Sequence, residues 1–158
     1  MAGPALDSSI FSPLFSDAEV SEQFSDAQFV RAMLEVESAL ATVQGRLGVI
    51  TAEAADQIVD AASRLEADFE RLRIGVEKSG VPVIDLVRQL REQVGGQAAD
   101  YVHWGATSQD IVDTARGLQI RAALTTFESR LGSLIQNLAR SSITSHHGPS
   151  VPRTACKN

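Results

Sequence analysis

Residues 108–140 read SQDIVDTARGLQIRAALTTFESRLGSLIQNLAR, and this stretch decides the fold. Ile111, Ala115, Leu118 and Ala122 recur at steps of four and three. Ile120, Leu124, Phe127, Leu131, Leu134 and Leu138 make a second stripe at the same spacing. Such spacing places each set along one face of an α-helix. At 1.5 Å per residue the helix is roughly 50 Å long, more than the width of a small globular domain. Two apolar stripes require burial on more than one side. The simplest partners are other long helices, from this chain or from neighbouring subunits.

Working back from that helix, the chain stays helical. Ser25 can cap a helix beginning at Asp26, with Phe29, Met33, Val36, Leu40, Val43 and Leu47 on one face. Gly45 and Gly48 weaken its end. Thr51 caps the next helix, which carries Ala54, Ala55, Ile58 and Val59. A further helix is expected from about Ala67 to Lys78, ended by Gly80. Pro82 suits the first turn of another, which Gly95 and Gly96 stop. Residues 97–107 read as a loop holding Tyr101, His103 and Trp104. No β alternation, repeat or low-complexity tract interrupts the pattern. Beyond Arg140, Ser, Thr, His, Gly and Pro crowd together, so 141–158 reads as an irregular tail. The expected class is all-α: a helical amino-terminal domain over 1–107, leading into a long bundle helix over 108–140.

Composition narrows the function. The 158 residues are 44% hydrophobic, enough for a packed core, with a formal net charge of -6. An acidic chain without clustered Lys and Arg argues against nucleic acid as partner, but a local site can still be positive. No apolar run approaches the ~20 residues that span a bilayer, so no membrane partner is expected. The start lacks signal-peptide features, and Cys156 is the one cysteine. A reducing, cytoplasmic setting is the expectation. His103, His146 and His147 show no metal-ligand spacing, and no metal is expected.

The chemistry gathers at Tyr101-Val102-His103-Trp104-Gly105-Ala106-Thr107-Ser108-Gln109-Asp110. Thr107 or Ser108 can cap the long helix, with Asp110 returning a bond toward Thr107. The first helical turn offers free N–H groups and partial positive charge, where a carboxylate or phosphate can bind. Thr107, Ser108 and Gln109 would add side-chain donors, and His103 a proton or a charge. Spacing alone favours a cap without a ligand. An anion site is the alternative.

The run HWGATSQDIVDTA resembles the first signature region of the fumarase/aspartase superfamily. Ser12-Pro13-Leu14-Phe15, the run from Met33 to Ala41 with Leu47-Gly48-Val49-Ile50, and Gly80-Val81-Pro82-Val83-Ile84 resemble the 3-carboxy-cis,cis-muconate cycloisomerase branch. Val81 stands where that branch has Asn. The resemblance implies an all-α fold, four subunits sharing one bundle, and active sites built from three signature regions of three subunits. It implies a small anionic carboxylate substrate held by Thr107, Ser108 and Gln109, with His103 as a substrate-contact or acid group. It implies no metal or organic cofactor. Arg153-Thr154 matches part of a second signature of the form Gly-Arg-Thr-His-x-Gln, with Ala155 and Lys157 in the histidine and glutamine places. The third signature is not found. A truncated cycloisomerase-like chain with little turnover alone is the expectation. An adenylosuccinate- or argininosuccinate-lyase-like fragment and a non-catalytic helical association module are the alternatives.

Overall fold

In the computed structural model of this chain, residues 12–145 are described. They form helices α1 (Ser12–Phe15), α2 (Ala18–Gln23), α3 (Asp26–Arg46), α4 (Ala52–Arg64), α5 (Phe69–Ser79) and α6 (Val83–Val94). A 3-10 turn (Gln97–Tyr101) follows, and then α7 (Ser108–Ser145). No strand occurs among the described residues, so the all-α class is observed.

Side-chain caps start most of these helices. Ser25 accepts from the Gln28 N–H at 3.3 Å, and Thr51 from the Ala54 N–H at 3.1 Å. Asp68 accepts from both the Glu70 and Arg71 N–H groups, at 3.0 and 3.1 Å. That cap sets the start of α5 at Phe69 rather than near Ala67. Gly80, at φ 77°, ends it in the left-handed conformation that a side chain would resist.

Two compact units divide the chain, Met1–Ala122 and Ala123–Asn158. The core of the first is one cluster from α3, Ile50 after it, α4, Leu72 of α5, α6, the segment after the 3-10 turn, and the opening turns of α7. Met33, Ile58, Leu86, Leu90, Val102 and Ile111 are almost fully buried in it. Each such side chain contributes about 1.5–3 kcal/mol relative to exposure. In α3 the buried face runs Phe29, Met33, Glu37, Ala41, with Val30 and Leu34 beside it. The stripe expected from the sequence instead continues to Val43 and Leu47, and both are exposed. A row at steps of four follows the 3.6-residue turn of a straight helix, and small residues on it let α4 come close. Gly45 lies at that approach. A Cβ there would sit 2.6 Å from the Ala55 Cβ, so this glycine is a packing residue inside α3.

Two further expectations are corrected. The stretch 97–107 is not wholly a loop, because Gln97–Tyr101 forms the 3-10 turn. The irregular tail does not begin at Ser141, because α7 continues through Ser145. Ser and Thr are poor helix formers, not helix breakers, and Gly148 and Pro149 come only later.

α5 and α6 are tied by polar groups. Gln89 accepts from the Asp68 N–H at 2.7 Å and donates to Asp85 at 2.9 Å. Arg71 donates to both carboxylate oxygens of Glu92, at 2.8 and 2.9 Å. No described helix is long and apolar enough to cross a membrane.

Candidate active site at the head of the long helix

The segment between the 3-10 turn and α7 is pinned from below. Val102 is fully buried in the core, which anchors the segment's start. Arg91 of α6 donates to the Val102 carbonyl at 3.1 Å. Gln44 of α3 donates through Nε2 to the Trp104 carbonyl at 2.7 Å. Between those two fixed carbonyls sits His103, at φ 62°. A non-glycine residue in this region is strained, and it persists where surrounding contacts over-determine it. Tyr101 and Trp104 pack edge to face, with ring centroids 5.9 Å apart.

Under His103 lies Glu37, on the buried face of α3. His103 Nδ1 and Glu37 Oε1 are 2.6 Å apart. The Glu37 side chain is 2% exposed and that of His103 is 16% exposed. The carboxylate is thus inside the protein and the imidazole at its boundary. Glu37 Oε2 and Gln44 Oε1 are buried with no donor among the described residues. Buried oxygens of this kind are costly, so the few donors present carry weight.

At the head of α7 the cap is reciprocal. The Thr107 hydroxyl accepts from the Asp110 N–H at 3.2 Å. Asp110 Oδ2 in turn accepts from the Thr107 N–H at 2.9 Å and from its hydroxyl at 2.8 Å. This is a capping box with Asp in the usual Glu place. The Thr107 N–H and hydroxyl hold the Asp110 carboxyl below its usual range, helped by the nearby charge of His103. Gln109 Nε2 donates to Asp113 at 2.6 Å. The Ser108 hydroxyl has no partner among the described residues.

Of the residues expected at a site, His103, Thr107, Ser108 and Gln109 all fall in this one short segment. Thr107 spends its hydroxyl proton on Asp110, so it shapes the turn rather than offering a spare donor. Arg153 and Thr154 lie outside the described residues, as do His146, His147 and Cys156. No group of His, Cys, Asp and Glu suited to a metal ion occurs among the described residues. Sequence reasoning missed Glu37, Gln44 and Arg91. Glu37 left a signal: a carboxylate midway along the row Phe29, Met33, Ala41 needs a partner. Two open hollows, of 680 and 560 Å³, lie elsewhere and share Val30 and Phe69 in their walls. Residues 103–110 line neither of them.

A helical unit feeding a long helix, with a pinned histidine just ahead of the capped first turn, is the arrangement to compare with known proteins. The lyase family profile matches residues 16–157. The chain belongs to this family, within the fumarase/aspartase superfamily. It is similar to trans-aconitate decarboxylase 1 of Mycosarcoma maydis, 40% identical over 127 residues, covering 80% of this chain and 26% of that protein. It is similar to 3-carboxy-cis,cis-muconate cycloisomerase of Acinetobacter baylyi, 38% identical over 152 residues, covering 93% of this chain and 34% of that one. Adenylosuccinate lyase of Methanothermobacter thermautotrophicus is 40% identical over 109 residues, covering 69% of this chain and 24% of its own. Among solved structures, a fumarate lyase from Mesorhizobium sp. BNC1 superposes with a TM-score of 0.76 at 44% identity, over 80% of this chain and 30% of that one. A 3-carboxy-cis,cis-muconate lactonizing enzyme from Pseudomonas putida gives 0.76 at 33% identity, over 87% of this chain and 32% of that one. The chain spans between about a quarter and a third of the length of these relatives.

Proposed function

We propose that this chain carries the carboxylate-holding end of a cycloisomerase active site, with 3-carboxy-cis,cis-muconate as substrate. The single observation that carries the reading is the pinned His103 beside the capped head of α7. In the reaction, a substrate carboxylate oxygen adds to a carbon–carbon double bond and a proton goes to the adjacent carbon. The product is 4-carboxymuconolactone. Negative charge builds up beside another carboxylate as the bond forms. Donors fixed around that carboxylate stabilise the transition state more than the ground state. The first-turn N–H groups of α7, Ser108 and Gln109 would supply those donors. His103 would add a proton or a positive charge. Thr107 holds the turn in shape through Asp110. Arg153 and Thr154 belong to the same reading as further substrate contacts. No metal or organic cofactor enters it.

The exposed stripe of α7 supports association of copies into a bundle, with a tetramer as the proposed state. Leu124, Leu131 and Leu138 on it leave an apolar surface that a second helix would cover. A second catalytic reading is a lyase acting on a succinyl substrate such as adenylosuccinate. The 40% identity to the adenylosuccinate lyase, no lower than the 38% to the cycloisomerase, favours keeping it.

Calorimetric titration of the chain with 3-carboxy-cis,cis-muconate and with adenylosuccinate, at one ionic strength, separates the readings. The muconate is expected to bind more tightly, and His103→Asn to weaken it about tenfold. Tighter adenylosuccinate binding would transfer the assignment to the lyase. Loss of binding for both would end both. Loss of the muconate diene absorbance on adding the protein measures turnover directly.

A further inference from the structure

We infer that Glu37 is a positioning residue for His103, locking its imidazole as the Nδ1–H tautomer and leaving Nε2 as the ring nitrogen open to a ligand. The inference rests on the proposed ligand-facing role of His103 for its functional consequence, but not for its structural content.

Separate groups fix the backbone and the ring. Arg91 and Gln44 hold the carbonyls on either side of His103, at Val102 and Trp104. They fix the pivot, including its φ of 62°. Both bonds go to backbone carbonyls rather than to the imidazole. The ring is gripped by Glu37, at 2.6 Å from Nδ1. Glu37 comes from the middle of α3, in a row with Met33 and Ala41 that core packing immobilises. Its carboxylate therefore cannot swing to follow the ring, and the ring must orient to it.

The chemistry of the pair sets the tautomer. A neutral imidazole has one N–H and one acceptor nitrogen, and the bond made by one nitrogen decides the role of the other. A carboxylate only accepts. Facing Glu37 Oε1 at 2.6 Å, Nδ1 is therefore the nitrogen that carries the N–H. A short bond between a buried carboxylate and an N–H is of the charge-assisted kind. Glu37 Oε2 has no donor among the described residues, so His103 is the one hydrogen-bond partner of that carboxylate among them. Nε2 is left to accept a proton or, once protonated, to donate toward an anion at the head of α7.

The test is nitrogen NMR of the full chain labelled with 15N-histidine, at a pH where the ring is neutral. The His103→Asn variant assigns the His103 signals against those of His146 and His147. Wild type is expected to show a protonated Nδ1 and an unprotonated Nε2. Glu37→Leu should move His103 to the opposite tautomer or to a mixture, while the signals of His146 and His147 stay. If Glu37→Leu does not fold, Glu37→Gln provides a shape-preserving variant with weaker acceptance and a partial shift. An Nε2–H ring in wild type, or an unchanged ring in the folded variants, overturns the inference. A binding arm uses 3-carboxy-cis,cis-muconate as probe. Glu37→Gln should weaken binding at least threefold in wild type and have no further effect in His103→Asn. Additive losses overturn positioning. If His103→Asn binds as wild type does, the proposed function fails while the tautomer result stands by itself.

Discussion

The two halves of α7 carry apolar stripes of the same period and meet different surroundings. In residues 108–122, Ile111 and Ala115 are 1% and 0% exposed, covered by the core of the first unit. In residues 123–145, Leu124, Leu131 and Leu138 are 59%, 58% and 61% exposed. The helical pattern itself does not distinguish them. Periodicity states which residues share a face and says nothing of what covers that face. In the first half the Ile111–Ala115 face is covered by its own chain, while Ile120, which opens the second stripe, is 50% exposed. The second presents an exposed apolar row, the one proposed above to associate. The capping box, His103 and Glu37 lie at the end whose Ile111–Ala115 face is covered.

Substitutions on the two stripes should therefore have unequal costs. Ile111→Ala removes a fully buried side chain and is expected to cost about 3 kcal/mol, read from the urea midpoint. Leu131→Ala in the dissociated chain should change stability by no more than about 0.5 kcal/mol. Equal costs would erase the contrast. In concentrated solution the order changes: Leu124→Arg with Leu131→Arg should lower the mass seen by light scattering, while Ile111→Ala should not act through association. A second, smaller effect probes the junction of the covered end. Thr107→Ala removes the hydroxyl side of the cap and should cost about 1 kcal/mol. A loss beyond about 2 kcal/mol would mean that Thr107 does more than cap.

Much of this contrast's covered end is legible in the amino-acid sequence. The caps at Ser25 and Thr51, the stop at Gly80 and the bond from Asp110 to Thr107 are local, so neighbouring letters encode them. The same holds for the family motif around His103. What the letters do not carry is what depends on contacts across the chain. Glu37 and His103 are 66 residues apart, and Gln44 and Trp104 are 60 apart. The heptad-like row through Val43 and Leu47 misleads because it fits a supercoil, whereas α3 turns its Ala41 and Gly45 side to α4. Asp68 does not stand out as a cap because the apolar period around it is weak. The 3-10 turn at Gln97–Tyr101 has too few residues for any period to show.

The smallest expected effect is also the most specific to the head of α7. Asp110 has its carboxyl held below the usual range, first by the Thr107 N–H and then by its hydroxyl. A carboxyl depressed in the folded state adds stability above its unfolded value, and that stability is lost as pH falls through the folded value. Wild type should therefore exceed Asp110→Asn by a constant margin above about pH 5, with the margin shrinking in acid. Thr107→Ala should keep most of this pH dependence, because the backbone N–H that leads the effect survives the substitution. Leu131→Ala, on the half of α7 away from the cap, should leave the profile parallel to wild type. If Asp110→Asn runs parallel to wild type from neutral pH down into acid, the bond from Thr107 to Asp110 does not hold in solution. The first turn would then be free to open, and the anion site proposed beside His103 would lose the rigid frame on which preorganised donors depend.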